Sequence, residues 1–326
     1  MHLPEAAAGA RILGIGSVQP EQIVTNADLE KRVATDDAWI RSRVGIAERR
    51  IADAETSLPD MAIEAGKAAL KDAGFDPAEL DAVLVATCTM PNPIPNAAAQ
   101  VATRLGAGGV AAFDLNAACA GFCYALGVAA DMIRAGSARH VLVIGAEKLS
   151  DWIDWDDRST CIIFADAAGA ALVGPATVDA EVGVGPVSWG SDGDNFTLIR
   201  VLPETTNKLH QEGQAVFRWA TTAVAPIALD AIARAGLTPA DVDVLIPHQA
   251  NLRIVEAIAK KLRRHGARED MVVADDIVHS GNTSSASIPM ALDHMRAAGR
   301  VRSGDVVLLV GFGAGLSYAG QVVVCP

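Results

Sequence analysis

Gly74–Val85, GFDPAELDAVLV, returns in the second half of the chain as Gly236–Ile246, GLTPADVDVLI. An offset of 162 carries Gly74 to Gly236, Pro77 to Pro239 and Asp81 to Asp243; the same offset carries Asp131 to Asp293, Arg134 to Arg296 and Ala135 to Ala297. A slightly larger offset of 166 lays HVLVIG on VVLLVG and so places Gly145 on Gly311. In each copy a glycine ends a helix, a proline turn follows, and the chain enters an apolar run of the kind buried on both faces in a parallel sheet. The sequence therefore predicts an α/β protein made of two pseudo-repeated halves, 1–175 and 176–326, with mostly parallel sheets packed around shared helices. Residues 176–213, irregular and rich in Gly and Asp, join the halves and read as strand and loop.

Outward from the repeat, Arg11–Val18 reads as a strand and Thr25-Asn26 as the cap of a short helix. Ser57, with Pro59 and Asp60 behind it, opens a helix that Gly74 closes. Asp81–Thr89 is an apolar strand, followed by the loop MPNPIPNAA and a helix to Leu105. His140–Gly145 and Cys161–Phe164 read as strands, the second leading into the small-residue run ADAAGAALVG. The last strand ends in the glycine run Gly311-Phe312-Gly313-Ala314-Gly315.

A chain of 326 residues with 51% apolar content can bury a large core. The absence of a leader-like start and of an uninterrupted membrane-length apolar run predicts a cytoplasmic protein with no membrane partner. Five cysteines without a CxxC pair predict neither a disulfide framework nor a metal site. A net charge of −12 argues against nucleic acid.

Chemistry gathers at strand ends, where open α/β sheets place it. In Val110–Gly136, VAAFDLNAACAGFCYALGVAADMIRAG, a short apolar run turns into a helix with apolar residues every three or four positions, and Cys119 sits at the switch. Small neighbours leave access to the sulfur, and the positive end of the helix dipole would lower the thiol pKa. A small buried thiol is the plainer alternative. In the second half His248 follows the strand VDVLIP, and His279 follows VVADDIV and precedes Ser280-Gly281-Asn282. The 162 offset carries Cys119 to Gly281, beside Asn282. A thiol, an imidazole and an amide at three strand ends predict nucleophilic catalysis with hydrogen bonds to a developing negative charge; His279 reads as a turn residue. The glycine run cannot open a dinucleotide fold, because eleven residues follow Gly315. It reads instead as a tight turn whose N–H groups approach an oxyanion. Trp39, Arg41, Arg43, Arg49 and Arg50 crowd one segment, either a solvated basic turn or a clamp for a nucleotide's ring and phosphates.

AACAGF around Cys119, PHQANLRI around His248, SGNTSSASIP around Asn282 and GFGAGLSYA near the end resemble the β-ketoacyl-acyl-carrier-protein synthase III family of the thiolase-like fold. The likeness spans nearly the whole chain. It implies a catalytic triad of Cys119, His248 and Asn282, with the N–H groups of Cys119 and Ala314 facing the oxyanion. It also implies that Trp39, Arg43 and Arg158 hold coenzyme A, that Asn251 lines the pantetheine tunnel, and that Ile94, where relatives often carry Phe, gates the acyl pocket of a partner subunit. The implied reaction is a decarboxylating Claisen condensation of acyl-coenzyme A with malonyl-acyl carrier protein by a homodimer, initiating fatty acid synthesis with no cofactor beyond the coenzyme A thioester substrate. A starter-unit ketosynthase or acyltransferase of a polyketide pathway and a non-catalytic coenzyme A- or nucleotide-binding protein are the alternatives. Ala314 replaces the middle glycine of a common family version, and Cys123 stands where relatives often have a smaller residue. Asn251–His265 carries Arg253, Lys260, Lys261, Arg263 and Arg264 against Glu256 alone. A helix dipole accounts for cations near the C-terminus but not for Arg253 at the other end. Arg253, with Arg218, Lys260 and Lys261, is the expected docking patch for the acidic carrier protein.

Overall fold

The computed structural model describes residues 7–176, 183–202 and 207–326. Two five-stranded sheets carry the chain. The first is built from β1 (Ala10–Val18), β2 (Ala82–Ala86), β3 (Ala111–Leu115), β4 (Val141–Lys148) and β5 (Asp166–Pro175), in the order β1-β5-β4-β2-β3. The second is built from β6 (Ser188–Ser191), β7 (Val244–Pro247), β8 (Val272–Val273), β9 (Val306–Gly313) and β10 (Ser317–Val324), in the equivalent order β6-β10-β9-β7-β8. Strands β2, β3 and β4 run parallel, as do β7, β8 and β9; β5 and β10 are each antiparallel to both neighbours. Four of five strands in each sheet thus share a direction, and one is reversed. Of the joining segment, 177–182 and 203–206 lie outside the described residues; the remainder holds β6, a 3-10 stretch at Gly193–Leu198 and the hairpin Ile199–Val201/Leu209–Gln211.

The helices form three layers around these sheets. α1 (Leu58–Ala73) and α2 (Ala97–Leu105) cover the outer face of the first sheet. α3 (Gly121–Arg134) and α6 (Ser287–Ala297) lie between the sheets. α4 (Gly213–Arg234) and α5 (Leu252–Arg264) cover the second sheet. α1 starts where the sequence says: the Ser57 hydroxyl accepts from the Asp60 N–H, the Asp60 carboxylate accepts from the Ser57 N–H, and Gly74 ends the helix at φ 62°. α1 lies so close to β1 that a Cβ at Gly16 would come within 2.4 Å of Ala68 Cβ. α4 is long and apolar enough to cross a membrane, but packs against β9, β10 and α5.

Three predicted strands are corrected. Cys161 closes a helical turn, Arg158–Cys161, because the Asp157 carboxylate caps the Ser159 N–H at 2.8 Å; the strand begins at Asp166, in the small-residue run itself. Of VVADDIV only Val272–Val273 is a strand, and Ile277–Ser280 is a helical turn. The glycine run does not end the last strand: residues 314–316 are the turn of the β9–β10 hairpin, closed by the Gly313–Ser317 pair.

The pseudo-repeat also needs a correction. The 162 offset relates β2 to β7, but from the middle of each half onward the equivalent positions are 166 apart. Ala118–Ala120 and Ser284–Ala286 are both 3-10 turns, opened by residues at positive φ, Ala118 at 45° and Ser284 at 50°. Each runs directly into a buried helix, α3 or α6. Cys119 is therefore equivalent to Ser285, not Gly281, and Asn116 to Asn282. In both turns the Asn side chain accepts from the N–H two residues on, at 3.2 Å in the first half and 2.9 Å in the second. The four-residue slip arises between the two repeated segments, where the connections differ in length.

Candidate active site

The two 3-10 turns cross over to the opposite halves. A Cβ on Gly145, in β4, would meet the Ser285 carbonyl oxygen at 2.4 Å; one on Gly311, in β9, would meet Ala120 Cα at 2.9 Å. Glycine at these two positions lets each turn seat on the other half's central strand. Between them opens a cavity of about 490 Å³ lined by Cys119, His248, Asn282, Ala314 and Asn251 among others. His279 is elsewhere, exposed, with Nδ1 3.6 Å from Glu48.

Cys119 is partly exposed to the cavity, and its backbone and sulfur are pressed against Gly313. Burial pushes its thiol up to about 12, and the Glu147 carboxylate adds to the shift; the Ser284 hydroxyl opposes it. The expectation that the helix dipole would lower this pKa is corrected here: burial of the sulfur outweighs it. Cys123 lies below, fully buried against Gly311, and is likewise pushed up to about 12 by burial.

His248 stands at the end of β7, where its N–H donates to the Val310 carbonyl at 2.8 Å. Its ring packs edge-on against Phe312, and its Nδ1 is 2.7 Å from Ser287 Oγ. Burial lowers its pKa to about 3, so the ring is neutral. The Gln249 N–H also donates to Ser287 Oγ, at 3.4 Å, so Ser287 fixes the Nδ1 side of the ring and leaves Nε2 as its other end. Asn282 is 4% exposed and held by its own backbone: its N–H donates to the Ile163 carbonyl at 2.9 Å, and its carbonyl accepts from the Ala165 N–H at 2.9 Å. Its Oδ1 is occupied by the Ser284 N–H, so the amide NH₂ is the end left for a ligand.

Outside the cavity, Arg158 stacks over the Trp39 ring at 4.5 Å and Arg43 at 5.6 Å. None of the three lines the cavity. Asn251 connects them to it, its Nδ2 donating to the Arg43 carbonyl at 3.0 Å while its Oδ1 caps α5 through the Arg253 N–H at 2.9 Å. The two cationic groups and the indole thus stand together outside the cavity, one hydrogen bond from a residue that lines it.

Residues 113–193 match the profile of the 3-oxoacyl-[acyl-carrier-protein] synthase III family, and residues 232–325 match the profile of that family's C-terminal part. The chain is 50% identical over 318 residues to β-ketoacyl-[acyl-carrier-protein] synthase III 4 of Streptomyces coelicolor, covering 98% of this chain and 99% of that protein. The chain belongs to the synthase III family. The synthase III of Mycobacteroides abscessus is 47% identical, with 97% and 94% covered. Among solved structures, a priming β-ketosynthase of the R1128 polyketide pathway matches with a TM-score of 0.94 at 42% identity, covering 100% of this chain and 98% of that one. The synthase III of Aquifex aeolicus matches at 0.91 and 40%, covering 97% and 100%.

Within this synthase III fold the remaining expected residues fall in different places. Ile94 is 84% exposed and does not reach the cavity of its own chain. Arg253 is exposed, its guanidinium 5.0 Å over the ring of Phe217, which lines the cavity; Arg218 and Lys260 are also exposed. Lys261 differs: its ammonium is bonded to the Thr221 carbonyl on α4 and tied into the helix packing. Sequence reasoning missed Cys88, Ser284, Ser287 and above all Glu147, a carboxylate with no exposed surface just behind the cavity. The one signal for Glu147 was a lone acid inside the apolar run VLVIGAEK.

Proposed function

We propose that the cavity carries the family's reaction in two steps. Cys119 takes the acyl group of an acyl-coenzyme A, with the N–H groups of Cys119 and Ala314 facing the oxyanion. Malonyl-acyl carrier protein then enters and loses carbon dioxide, and the resulting enolate attacks the thioester to give the 3-ketoacyl-carrier protein. Neutral His248, through Nε2, and the Asn282 amide donate to the enolate oxygen. The observation that supports this reading best is the meeting of a thiol from one half with an imidazole and an amide from the other in one cavity. Trp39, Arg43 and Arg158 fit the adenine and phosphates of coenzyme A, and Asn251 stands where the pantetheine would pass.

The reading includes a homodimer and a cytoplasmic location. β3 is an edge strand whose outer side pairs with no strand among the described residues, and it exposes Phe113; residues 91–95 of the Ile94 loop beside it are exposed. A second copy seated there would carry Ile94 into the acyl pocket. Ile94 is smaller than Phe and branched, so the pocket would accept propionyl and branched four- and five-carbon starters.

The likeness to a priming ketosynthase favours a second reading, in which the same chemistry supplies the starter of a polyketide. The two readings differ in acyl group and carrier protein. A panel of acyl-coenzyme A substrates with labelled malonyl-carrier protein tests both. His248→Ala and Asn282→Ala should stop carbon dioxide release while the acyl group still appears on Cys119, and Cys119→Ala should lose the acyl group. Acyl-enzyme on Cys119→Ala protein, or no carbon dioxide from the parent with any acyl group, would sink the reading.

A further inference from the structure

Glu147 lies at the end of β4, and its two oxygens meet different company. Oε2 accepts from the Cys88 N–H at 3.1 Å and from the hydroxyls of Thr89 and Thr87 at 2.5 and 3.2 Å. Those hydroxyl oxygens in turn accept from the N–H groups of Lys148 and Thr89, so their protons point at the carboxylate. Oε1 faces Ser284 Oγ at 3.0 Å, Ser285 Oγ at 2.8 Å and the Cys88 sulfur at 3.4 Å.

Ser285 has one proton and two acceptors in reach, Oε1 and the Ala86 carbonyl at 2.9 Å. With Glu147 ionised, Ser285 can serve only one of them. With a proton on Oε1, Glu147 donates to Ser285, Ser285 donates to Ala86, and every group is satisfied. The network therefore accommodates the carboxyl in both states. Ser284 lines the cavity with Cys119, on the turn packed against that of Cys119, and its hydroxyl opposes the upward shift of the thiol; Cys88 lines the cavity too, its sulfur 3.9 Å from Ser284 Oγ.

We propose that Glu147, acting through the Ser284 hydroxyl, receives the Cys119 proton as the thiol attacks the acyl-coenzyme A carbonyl. The inference rests on the reading of Cys119 as the acylated residue. The S–H proton passes to Ser284 Oγ while that hydroxyl's proton passes to Glu147 Oε1. The sulfur–acyl bond forms and the bond to coenzyme A sulfur breaks; the departing thiolate takes a proton back along the same route, leaving free coenzyme A and an ionised Glu147. Glu147 touches no substrate and is a positioning residue for that proton.

Electrostatics support the route. Burial drives both Cys119 and Glu147 toward their neutral forms, and the charge on Glu147 adds to the cost of a thiolate. Moving the proton from one to the other removes that repulsion and leaves the buried charge unchanged. The other titratable groups around the pair do not compete. Cys88 is pushed well up by burial, Cys123 to about 12, and His248 is held neutral. Lys148 turns away to the Asp53 carbonyl at 2.8 Å and to Asp151 at 3.7 Å, and Asp166, across the ladder from it, is occupied by Ser150 and the Ala52 N–H.

The test is the rate of iodoacetamide alkylation of Cys119, read by peptide mass between pH 5 and 9 without substrate, in the parent, Glu147→Gln, Ser284→Ala and the double variant. Gln reproduces the protonated carboxyl, and Ala is tolerated at positive φ because Ala118 adopts it in the equivalent turn. The parent should show a rate flat through neutrality, falling only where Glu147 binds a solvent proton. Both variants, and the double variant no further, should lose the plateau, rise about tenfold per pH unit and be at least tenfold slower at pH 6. A purely structural role would change the rate and leave the shape of the profile. A parent profile without a plateau, or variants that keep it, would overturn the proposal. A parent with the plateau but no acyl transfer from acyl-coenzyme A would instead refute the functional reading alone.

Discussion

Gly313→Ala should disable the thiol without removing it. A Cβ at Gly313 would lie 2.7 Å from Cys119 Cβ, 2.9 Å from its backbone nitrogen and 3.0 Å from its sulfur. Ordinary carbon contacts are about 3.5–4.0 Å, so the turn carrying Cys119 has to retreat by about 1 Å or β9 has to bend. The turn cannot retreat freely, because Ala120 is already held against Gly311. Overpacking of this kind costs about 1–3 kcal/mol, which for a chain of this size lowers Tm by about 2–6 °C. A displacement of about 1 Å between reacting groups costs about 10²-fold in rate. The assay is the rate of acyl-enzyme formation by intact-protein mass after an acyl-coenzyme A pulse, beside a thermal melt. Gly108→Ala, where an added Cβ meets nothing within 4 Å, is the control and should match the parent in both. A Gly313→Ala protein that acylates and melts like the parent would refute the reasoning that this glycine exists to admit the nucleophile.

Arg253→Glu should raise the apparent KM for malonyl-carrier protein several-fold with little effect on acylation by acyl-coenzyme A, as high salt does to the parent, since exposed charges are screened beyond about 10 Å at 0.1 M. Lys261→Glu should lower Tm instead, because its ammonium holds α5 to α4; equal damage to both half-reactions by Arg253→Glu would count against docking. The hydrogen bond that His294 Nδ1 donates to the Asp276 carboxylate raises His294 above its ordinary 6.5, so the pair's contribution to stability is complete below that pH and fades as pH rises through the raised value. His294→Gln should accordingly lose more Tm at pH 6 than at pH 9; a constant loss would show that the ring acts by packing alone. Cys123→Ala should keep acylation on Cys119, and an acyl group that disappears with Cys123 would reassign the nucleophile.

Much of the fold was legible because its signals are local. Ser57, Pro59, Asp60 and Gly74 mark both ends of α1 by hydrogen bonds and dihedral angles that need no tertiary partner. The all-buried strands β2 and β4 announced themselves as unbroken apolar runs. Errors came where neighbours decide. Cys161–Phe164 is as apolar as any strand, yet Cys161 closes the helical turn that Asp157 caps and Phe164 makes only an isolated bridge to Asn282, while the real strand β5 is rich in alanine and glycine, which have weak strand preference. β5 is a strand because β1 and β4 pair with it along both edges.

The site was legible in its reactive groups and not in what tunes them. Cys119, His248 and Asn282 stand at the ends of predicted strands, and a sequence shows such positions. Glu147 and Ser284 meet across the interface between halves and Ser287 meets His248 within the second, in each case from residues far apart in sequence, and beyond the lone acid in VLVIGAEK no local pattern names them. The corrected register explains why they meet. The two halves contribute the same turn, Asn116-Ala117-Ala118-Cys119 and Asn282-Thr283-Ser284-Ser285, each opened by an Asn side chain and a residue at positive φ. Gly145 and Gly311 admit each turn to the other half's sheet. The symmetry that builds the pocket is then broken residue by residue: the first turn keeps the sulfur at the position where the second has a hydroxyl bonded to Glu147, and the second turn keeps the hydroxyl of Ser284 where the first has Ala118. The Cys119 thiol and the Ser284 hydroxyl are thus contributed by equivalent turns of opposite halves. Neither half alone contains both, and the chemistry requires the two sheets to be packed as they are.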